Sequence, residues 1–297
     1  MKRAALVSER LTTDWSSTMS NTFSTVVGRS RARHDHRRTR RASHSPCSPI
    51  SLHAVTIADR PDLRASVAAA DAAVFPRFLL HSEFRPLWDD VYATFPEHQL
   101  VLCDSRSGAV VAHVNSVPFH WNGDVGDLPG DACALVRRAL ADRRVGVQPT
   151  ALGALQAVVH PAQQGRGLAR RPLEALAEHA AGQHLADVFA PIRPTEKQRY
   201  PLATLEDYAG WLRADGLAQD PWIRVHERLG ATRAGVMPAW FVVEAPLAER
   251  VAWTGMAFPA SGRYVVPGAL VPIDVDAEAG TARYEEPHVW MHYRIAA

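Results

Sequence analysis

The sequence predicts an α/β (α+β) protein in which a central mixed, mostly antiparallel twisted sheet is flanked by helices and followed by a C-terminal extension. Three observations lead to this prediction: apolar stretches typical of strands, helical spacing between them, and a change of the hydrophobic period from two to 3.6 after residue 160. The chain has 297 residues, 47% hydrophobic and 22% charged, a composition typical of globular proteins.

The first half of the chain predicts a strand, two helices and a hairpin. An alternating apolar pattern predicts a strand at 53–58, and a Pro-Asp start precedes an Ala-rich helix at about 62–73. Apolar residues at three- and four-residue spacing predict a second helix at about 83–94. Two apolar stretches, 99–103 and 109–117, are joined by Asp-Ser-Arg-Ser-Gly and predict two antiparallel strands.

A longer connection and a second set of elements follow. The connection contains a helical segment at 131–143, and because it exceeds the usual length we expect an insertion on the side of the binding site. The helix at 220–229 has Asp220 as N-cap, Pro221 at its first position and Gly230 at its end. The other predicted elements are a strand at 154–160, a helix at about 168–180, a strand at 185–190, a helix at 205–213, and strands at 232–236 and 240–244.

Charge and composition divide the chain into three regions. Residues 1–52 carry 10 Lys and Arg against 3 Asp and Glu, and seven of these arginines lie between Arg29 and Arg41. With little to bury, this segment is expected to be a disordered Arg/Ser-rich tail; a transit peptide, a solvated tail and a nucleic-acid-binding arm stay open as its role. Residues 53–245 are expected to form the folded domain, and residues 246–297 a C-terminal extension packed on it.

Composition also excludes several classes of protein. No apolar run reaches 18 residues, so no transmembrane helix is expected. Three cysteines without a C-x-x-C pair, Cys47, Cys103 and Cys133, predict neither a disulfide framework nor a zinc site and favour a cytoplasmic location. Outside the tail, 23 basic and 28 acidic residues give a net charge of about −5, so we expect neither a nucleic-acid nor a membrane partner. The histidines lack metal-ligand spacing, so no metal is expected.

The strongest local motif is a strand, a glycine-rich turn and a helix at Val158–Leu173. Such a junction directs backbone N–H groups and the positive end of a helix to one place, where a phosphate would bind. The glycines matter because a residue without Cβ lets a pyrophosphate approach the backbone closely. The P-loop pattern and the Gly-x-Gly-x-x-Gly dinucleotide pattern are both absent, so neither of those motifs applies.

The turn resembles the acetyl-CoA loop of the GNAT superfamily of N-acetyltransferases. The family's pattern Gln/Arg-x-x-Gly-x-Gly/Ala is met by Gln164-Gly165-Arg166-Gly167-Leu168-Ala169, and the order of predicted elements is also similar. The resemblance implies a GNAT fold, an acyl-CoA-binding catalytic domain at 53–245, and acetyl-CoA or malonyl-CoA as co-substrate without a metal. The residues that it assigns to acyl-CoA binding are Val158, Val159, Gln164, Gly165, Arg166, Gly167, Leu168 and Ala169.

Two further segments carry the resemblance. His226 stands where family members often have a tyrosine that protonates the CoA thiolate, and an imidazolium with a pKa of about 6.5 would serve as that acid. The segment Pro191–Pro201 is similar to GNAT-like domains of polyketide synthase loading modules, in which a Thr and a His serve malonyl-CoA decarboxylation and acyl transfer to a carrier-protein thiol. Thr195 and His226 match those positions, and Arg193 would hold the malonyl carboxylate. A packing role for His226 and a surface salt bridge for Arg193 stay open.

The sequence leaves three functions open. The first is an acyl-CoA-dependent acyltransferase that acts on an amine or thiol acceptor. The second is a malonyl-CoA or methylmalonyl-CoA decarboxylase and S-acyltransferase that loads an acyl carrier protein in polyketide biosynthesis. The third is a catalytically silent CoA-binding module. All three use the same glycine-rich turn.

Overall fold

The computed structural model describes residues 50–295, and within this range a nine-stranded sheet is flanked by helices. The predicted tail lies outside the described residues except for its last three, and Cys47 lies outside them as well. One strand pair is parallel and the others are antiparallel, which confirms the predicted fold class. None of the helices between residues 50 and 295 has the length and apolar character that a membrane crossing requires.

The helices and strands of the described part have the following bounds. The α-helices are α1 Arg64–Val74, α2 Leu87–Thr94, α3 Ala132–Val145, α4 Arg171–Gly182, α5 Leu205–Gly210, α6 Pro221–Arg228 and α7 Leu247–Thr254. The strands are β1 Leu52–Thr56, β2 Gln99–Asp104, β3 Val110–Phe119, β4 Ala151–Val159, β5 Asp187–Ile192, β6 Thr232–Pro246, β7 Gly262–Tyr264, β8 Ile273–Asp276 and β9 Thr281–Arg294.

The sheet has the strand order β1-β2-β3-β4-β5-β9-β8-β7, and β6 pairs with β9. The parallel pair is β4 and β5, and α4 forms the crossover that a parallel pair requires. β9 pairs with β6 over most of its length, with β8 over residues 281–283 and with β5 over residues 289–294. Among the described strands, residues 284–288 of β9 therefore have only β6 as a partner.

The C-terminal region differs from the prediction. β6 runs through both predicted strands, 232–236 and 240–244, with a register irregularity between Met237 and Phe241. β9 comes from the predicted extension, yet it lies inside the sheet between β5 and β6. Apolar alternation identifies a strand but not its neighbours, so this position did not follow from the sequence.

Alternate residues of the central strands contribute to two apolar clusters. Val114 of β3 belongs to a cluster that includes residues of α4, α5 and α6, whereas Val117 belongs to one that includes residues of α2 and α3. β9 contributes to both, with Val289 and Met291 in the first cluster and Trp290 in the second. Both layers of the core thus depend on the C-terminal strand.

We expect a chain that ends after residue 245 to be unfolded. The deletion removes the shared partner of β5 and β6 and several fully buried side chains. Truncation of one such side chain typically costs about 2–5 kcal/mol, against a total stability of about 5–15 kcal/mol. Circular dichroism and thermal melting, compared with the full chain, measure the effect. A cooperative melt of the truncated chain would show that β9 is dispensable.

Candidate active site

A cleft opens where β4 and β5 separate. The two strands pair only at Ala151–Gly153 and Asp187–Phe189 and then diverge. On its other edge β4 stays paired with β3, where a β-bulge at Leu155 shifts the register. The backbone N–H and C=O groups of alternate residues in a strand point to opposite edges. About half of the backbone N–H and C=O groups of residues 154–159 therefore face the gap. This part of β4 has no strand partner there among the described residues.

This space, the β4–β5 cleft, has a volume of about 90 Å³. Most of its lining is apolar, and its polar side chains come from β4, α6, β9 and the end of β5. The lining residues are Phe75, Ala154, Leu155, Gln156, Ala157, Leu173, Ala190, Pro191, Ile192, Arg193, Trp222, His226, Phe241, Glu286 and His288. Nowhere in residues 50–295 do three or more His, Cys, Asp or Glu side chains group as metal ligands.

The glycine-rich turn lies between β4 and α4. Gly165 and Gly167 have φ angles of +75° and +71°, which glycine adopts without strain, and a Cβ at either position would meet nothing within 4 Å. Within the described part of the chain, the N–H groups of Gly165, Gly167, Leu168 and Ala169 donate no hydrogen bond. Together with the start of α4, these donors suit an anionic ligand such as a phosphate.

The predicted residues before the turn anchor it to the sheet. Val158 and Val159 pair with His113 and Ala112 of β3, and the side chain of Val158 is buried. The Gln164 side chain donates a hydrogen bond to the carbonyl of Val159 at 3.0 Å. The turn is therefore held at the end of β4, next to the diverging edge.

Three arginines add positive charge around the turn. Arg166 donates a hydrogen bond to the side chain of Gln163, and its residue is exposed. Arg170 and Arg171 lie 3.3 Å and 2.9 Å from the Glu174 carboxylate, which offsets part of their charge. The net charge of these four ionic side chains is positive, which favours binding of a polyanion.

His226 lies in the last turn of α6 and lines the cleft. Asp220 caps the start of this helix and Pro221 occupies its first position, as predicted. The His226 ring is buried and makes a T-shaped contact with Trp222, with ring centroids 4.5 Å apart. Burial lowers the pKa of His226 to about 3, so the ring is neutral at pH 7. The imidazolium acid expected from the sequence is thus not the form that this environment favours.

Tyr293 of β9 fixes the tautomer of His226. The Tyr293 hydroxyl lies 2.5 Å from Nδ1 and has no other hydrogen-bond partner in residues 50–295, so the phenol O–H donates a hydrogen bond to Nδ1. The ring proton then resides on Nε2, which is buried and without a described partner. The cleft wall therefore carries one neutral N–H donor that is available to a ligand.

Thr195 lies near the other end of α6. Its hydroxyl is 3.5 Å from Oδ1 of Asp220, and the same carboxylate accepts a hydrogen bond from the Tyr208 hydroxyl at 2.8 Å. Thr195 is not among the described residues that line the β4–β5 cleft. The structure therefore does not bring Thr195 and His226 together on that cleft.

A buried charge cluster lines the β9 side of the cleft. Arg193 Nε donates to Glu286 Oε2 at 3.0 Å, and the guanidinium also donates to the carbonyl of Gly268. Burial raises the pKa of Glu286, although the Arg193 charge acts in the opposite direction. His288 Nε2 lies 3.5 Å from Glu286 Oε1, and burial lowers the pKa of His288 well below its usual range. Arg193, which the sequence predicted to hold a malonyl carboxylate, thus forms an ion pair with Glu286 within the protein.

A second cavity of about 560 Å³, the α1–α2 cavity, adjoins the cleft. Three residues, Phe75, Gln156 and Phe241, line both spaces. α3, expected on the side of the binding site, contributes no residue to either space and packs on β3 and α2 instead. The arrangement allows two ligands to meet where the spaces join.

Sequence reasoning did not single out Gln156, Tyr293 or Glu286. A sequence signal existed for Glu286, because Tyr284, Glu286 and His288 occupy every second position and so share one face of a strand. In the structure all three side chains are buried. A carboxylate at an alternating inward position is costly unless it is paired or serves a function. No comparable signal exists for Tyr293, whose role depends on its contact with a residue 67 positions away.

Comparison with known proteins identifies the fold. No protein-family model matches the chain. The chain is 28% identical over 271 residues to arginine N-acetyltransferase avaD of Aspergillus versicolor, which covers 81% of this chain and 93% of that protein. It is also similar in structure to the loading GNATL domain of CurA from Lyngbya majuscula, with a TM-score of 0.53, 16% identity, and coverage of 82% and 97%. The fold of the chain is therefore that of the GNAT superfamily.

We expect Gly167→Val to weaken CoA binding by about tenfold or more, equivalent to about 1.4 kcal/mol. A β-branched residue strains the positive φ and crowds the approach to the turn. Isothermal titration calorimetry with CoA measures the change. Gly108→Val is the matched control, because Gly108 also has a φ of +71° and open space but lies in the β2–β3 hairpin. If the two folded variants bind CoA with equal affinity, the CoA site does not lie at the turn.

Proposed function

We propose that this chain, which has the GNAT fold, transfers an acyl group from acyl-CoA to an amine. The observation that carries the proposal is the β4–β5 cleft, which has the N–H donors of the glycine-rich turn at the end of β4 and the Nε2–H of His226 on its wall. The similarity to a protein named as an arginine N-acetyltransferase, along nearly all of its length, supports an amine acceptor.

The residues present fit an acyl-CoA molecule. The donors of Gly165, Gly167, Leu168 and Ala169 would bind its phosphates, and the free edge of β4 at 154–159 would pair with the amides of its extended arm. Acyl-CoA supplies a thioester, which an amine attacks at the carbonyl carbon. A C–N bond forms, the C–S bond breaks, and the amine loses a proton while the thiolate gains one.

His226 would stabilise the negative charge that develops in this reaction. The neutral ring, held by Tyr293, donates from Nε2 to the carbonyl oxygen or to the departing sulfur. This role replaces the imidazolium acid expected from the sequence. Glu286 would accept the proton of the amine, because its raised pKa makes it a stronger base than an ordinary carboxylate and its Oε1 has no hydrogen-bond partner in the described residues.

The decarboxylase and S-acyltransferase is the second candidate. It requires Thr195 and His226 to act on one thioester and Arg193 to bind a carboxylate, whereas Thr195 contacts Asp220 and Arg193 contacts Glu286. A malonyl-CoA substrate, an acyl carrier protein as partner and a cytoplasmic location stay predictions from the sequence. A catalytically silent CoA-binding module is the third candidate.

One assay separates the three candidates. The protein is incubated with acetyl-CoA, malonyl-CoA or methylmalonyl-CoA, each with a panel of amines or with an acyl carrier protein, and the products are identified by mass spectrometry. We expect acetyl transfer to an amine without release of CO2. Release of CO2 with acylation of the carrier protein would favour the second candidate. CoA binding without any product would favour the third.

We expect His226→Ala to lower kcat about 100-fold, the usual effect of removing one oxyanion donor, with little change in the Kd for CoA. Tyr293→Phe should cause a smaller loss of kcat, because Nδ1 loses the donor that holds the proton on Nε2. Steady-state kinetics and calorimetry measure the two quantities. His53→Ala, at an exposed histidine in β1, is the control. A kcat of His226→Ala within threefold of wild type would exclude a role for His226 in the chemical step.

A further inference from the structure

We propose that the α1–α2 cavity selects acceptors that carry a positive charge and that Asp71 is the residue that selects them. This inference rests on the proposed function, because it treats the cavity as the acceptor site. To the proposed function the inference adds the charge of the acceptor and the residue that recognises that charge.

The Asp71 carboxylate is held rigidly at the wall of the cavity. Asp71 lies in α1, lines the cavity and has 20% of its side chain exposed. Oδ1 accepts a hydrogen bond from His113 Nε2 at 2.9 Å, and Oδ2 accepts one from Gln156 Nε2 at 2.9 Å. The same Gln156 amide donates to Asn115 at 2.9 Å, which fixes its orientation. Both donors therefore orient the carboxylate.

Asp71 has no Lys or Arg partner in the part of the chain that the structure describes. Within residues 50–295, no Lys or Arg nitrogen lies within 4.0 Å of its carboxylate. The His113 ring contacts the carboxylate through Nε2, and its Nδ1 is buried without a hydrogen-bond partner in the described residues. The other carboxylate of the cavity, Asp89, is exposed and lies 2.5 Å from Arg64, while Arg85 is exposed and unpaired within this range. Asp71 is thus the carboxylate left to bind a cation.

The walls around Asp71 suit a cation on an apolar stem. Five aromatic side chains line the cavity: Phe75, Phe84, Trp88, Tyr92 and Phe241. Aromatic faces attract ammonium and guanidinium groups and pack against alkyl chains. A carboxylate in apolar surroundings without a counter-charge raises the free energy of the protein. A cationic ligand would offset this unfavourable free energy, whereas a neutral ligand would not. Gln156, which holds Asp71, also lines the β4–β5 cleft, so the bound acceptor would lie beside the thioester.

The test compares acceptors that differ mainly in one charge. The pairs are L-arginine and L-citrulline, agmatine and N-carbamoylputrescine, and 1,4-diaminobutane and 4-amino-1-butanol. Calorimetric titration into the full chain saturated with CoA measures each Kd. We expect the cationic member of at least one pair to bind tenfold more tightly or better. Asp71→Asn should reduce that preference to less than threefold, because the amide keeps the shape and removes the charge.

Asp90→Asn is the matched control, since Asp90 is an exposed residue of α2 outside the cavity, and it should keep the preference. Equal binding within all three pairs would overturn the inference, and so would a tenfold preference that persists in Asp71→Asn. Thermal melting verifies folding, and Asp71→Ser serves as the neutral variant if Asp71→Asn does not fold.

The outcomes also separate this inference from the proposed function, because binding is measured without turnover. Acyl transfer to neutral and cationic amines with equal kcat/KM would overturn the inference and leave the proposed function in place. Binding of cations that depends on Asp71, without transfer to any amine, would overturn the proposed function and leave Asp71 as a cation-binding residue of the cavity.

Discussion

The separation of β4 from β5 after three paired positions is the constraint on which the rest of the structure depends. A sheet normally satisfies its backbone groups through its neighbouring strands, and a released edge must find other partners. Here the released edge of β4 leads to the glycine-rich turn, where the N–H groups of Gly165, Gly167, Leu168 and Ala169 donate no hydrogen bond within the described residues. An extended polar ligand can therefore satisfy backbone groups both at the released edge of β4 and at the turn before α4.

β9 forms the opposite wall and brings ionisable groups into the interior. Among the strands that the structure describes, none pairs with residues 284–288 of β9 on the side of β5 and β8, and Arg193 reaches Glu286 across that interval. A buried ion pair of this kind adds little stability, because desolvation of the charges offsets their attraction. Its presence at a cleft, together with the shifted pKa values of Glu286 and His288, is typical of a functional site.

Local features of the fold followed from the sequence, and features that depend on distant contacts did not. The cap at Asp220, the strand–turn–helix junction and the β2–β3 hairpin are encoded within a few residues, and all three are present. The central place of β9 depends on pairing with strands far away in the chain, which alternation does not specify. The charge of His226 likewise depends on burial and on Tyr293, so the residue type indicated a role but not its protonation state.

The central place of β9 also determines how slowly the chain reaches its native state. Asp187 of β5 pairs with Arg294, 107 positions further along the chain, and Thr232 of β6 pairs with His292. Loop closure over such separations precedes any gain from pairing, so topologies rich in distant contacts fold slowly. Until β9 docks, β5 and β6 each present an unpaired edge that other chains can join. During refolding, intermolecular strand pairing therefore competes with assembly of the cleft, and this competition increases with protein concentration.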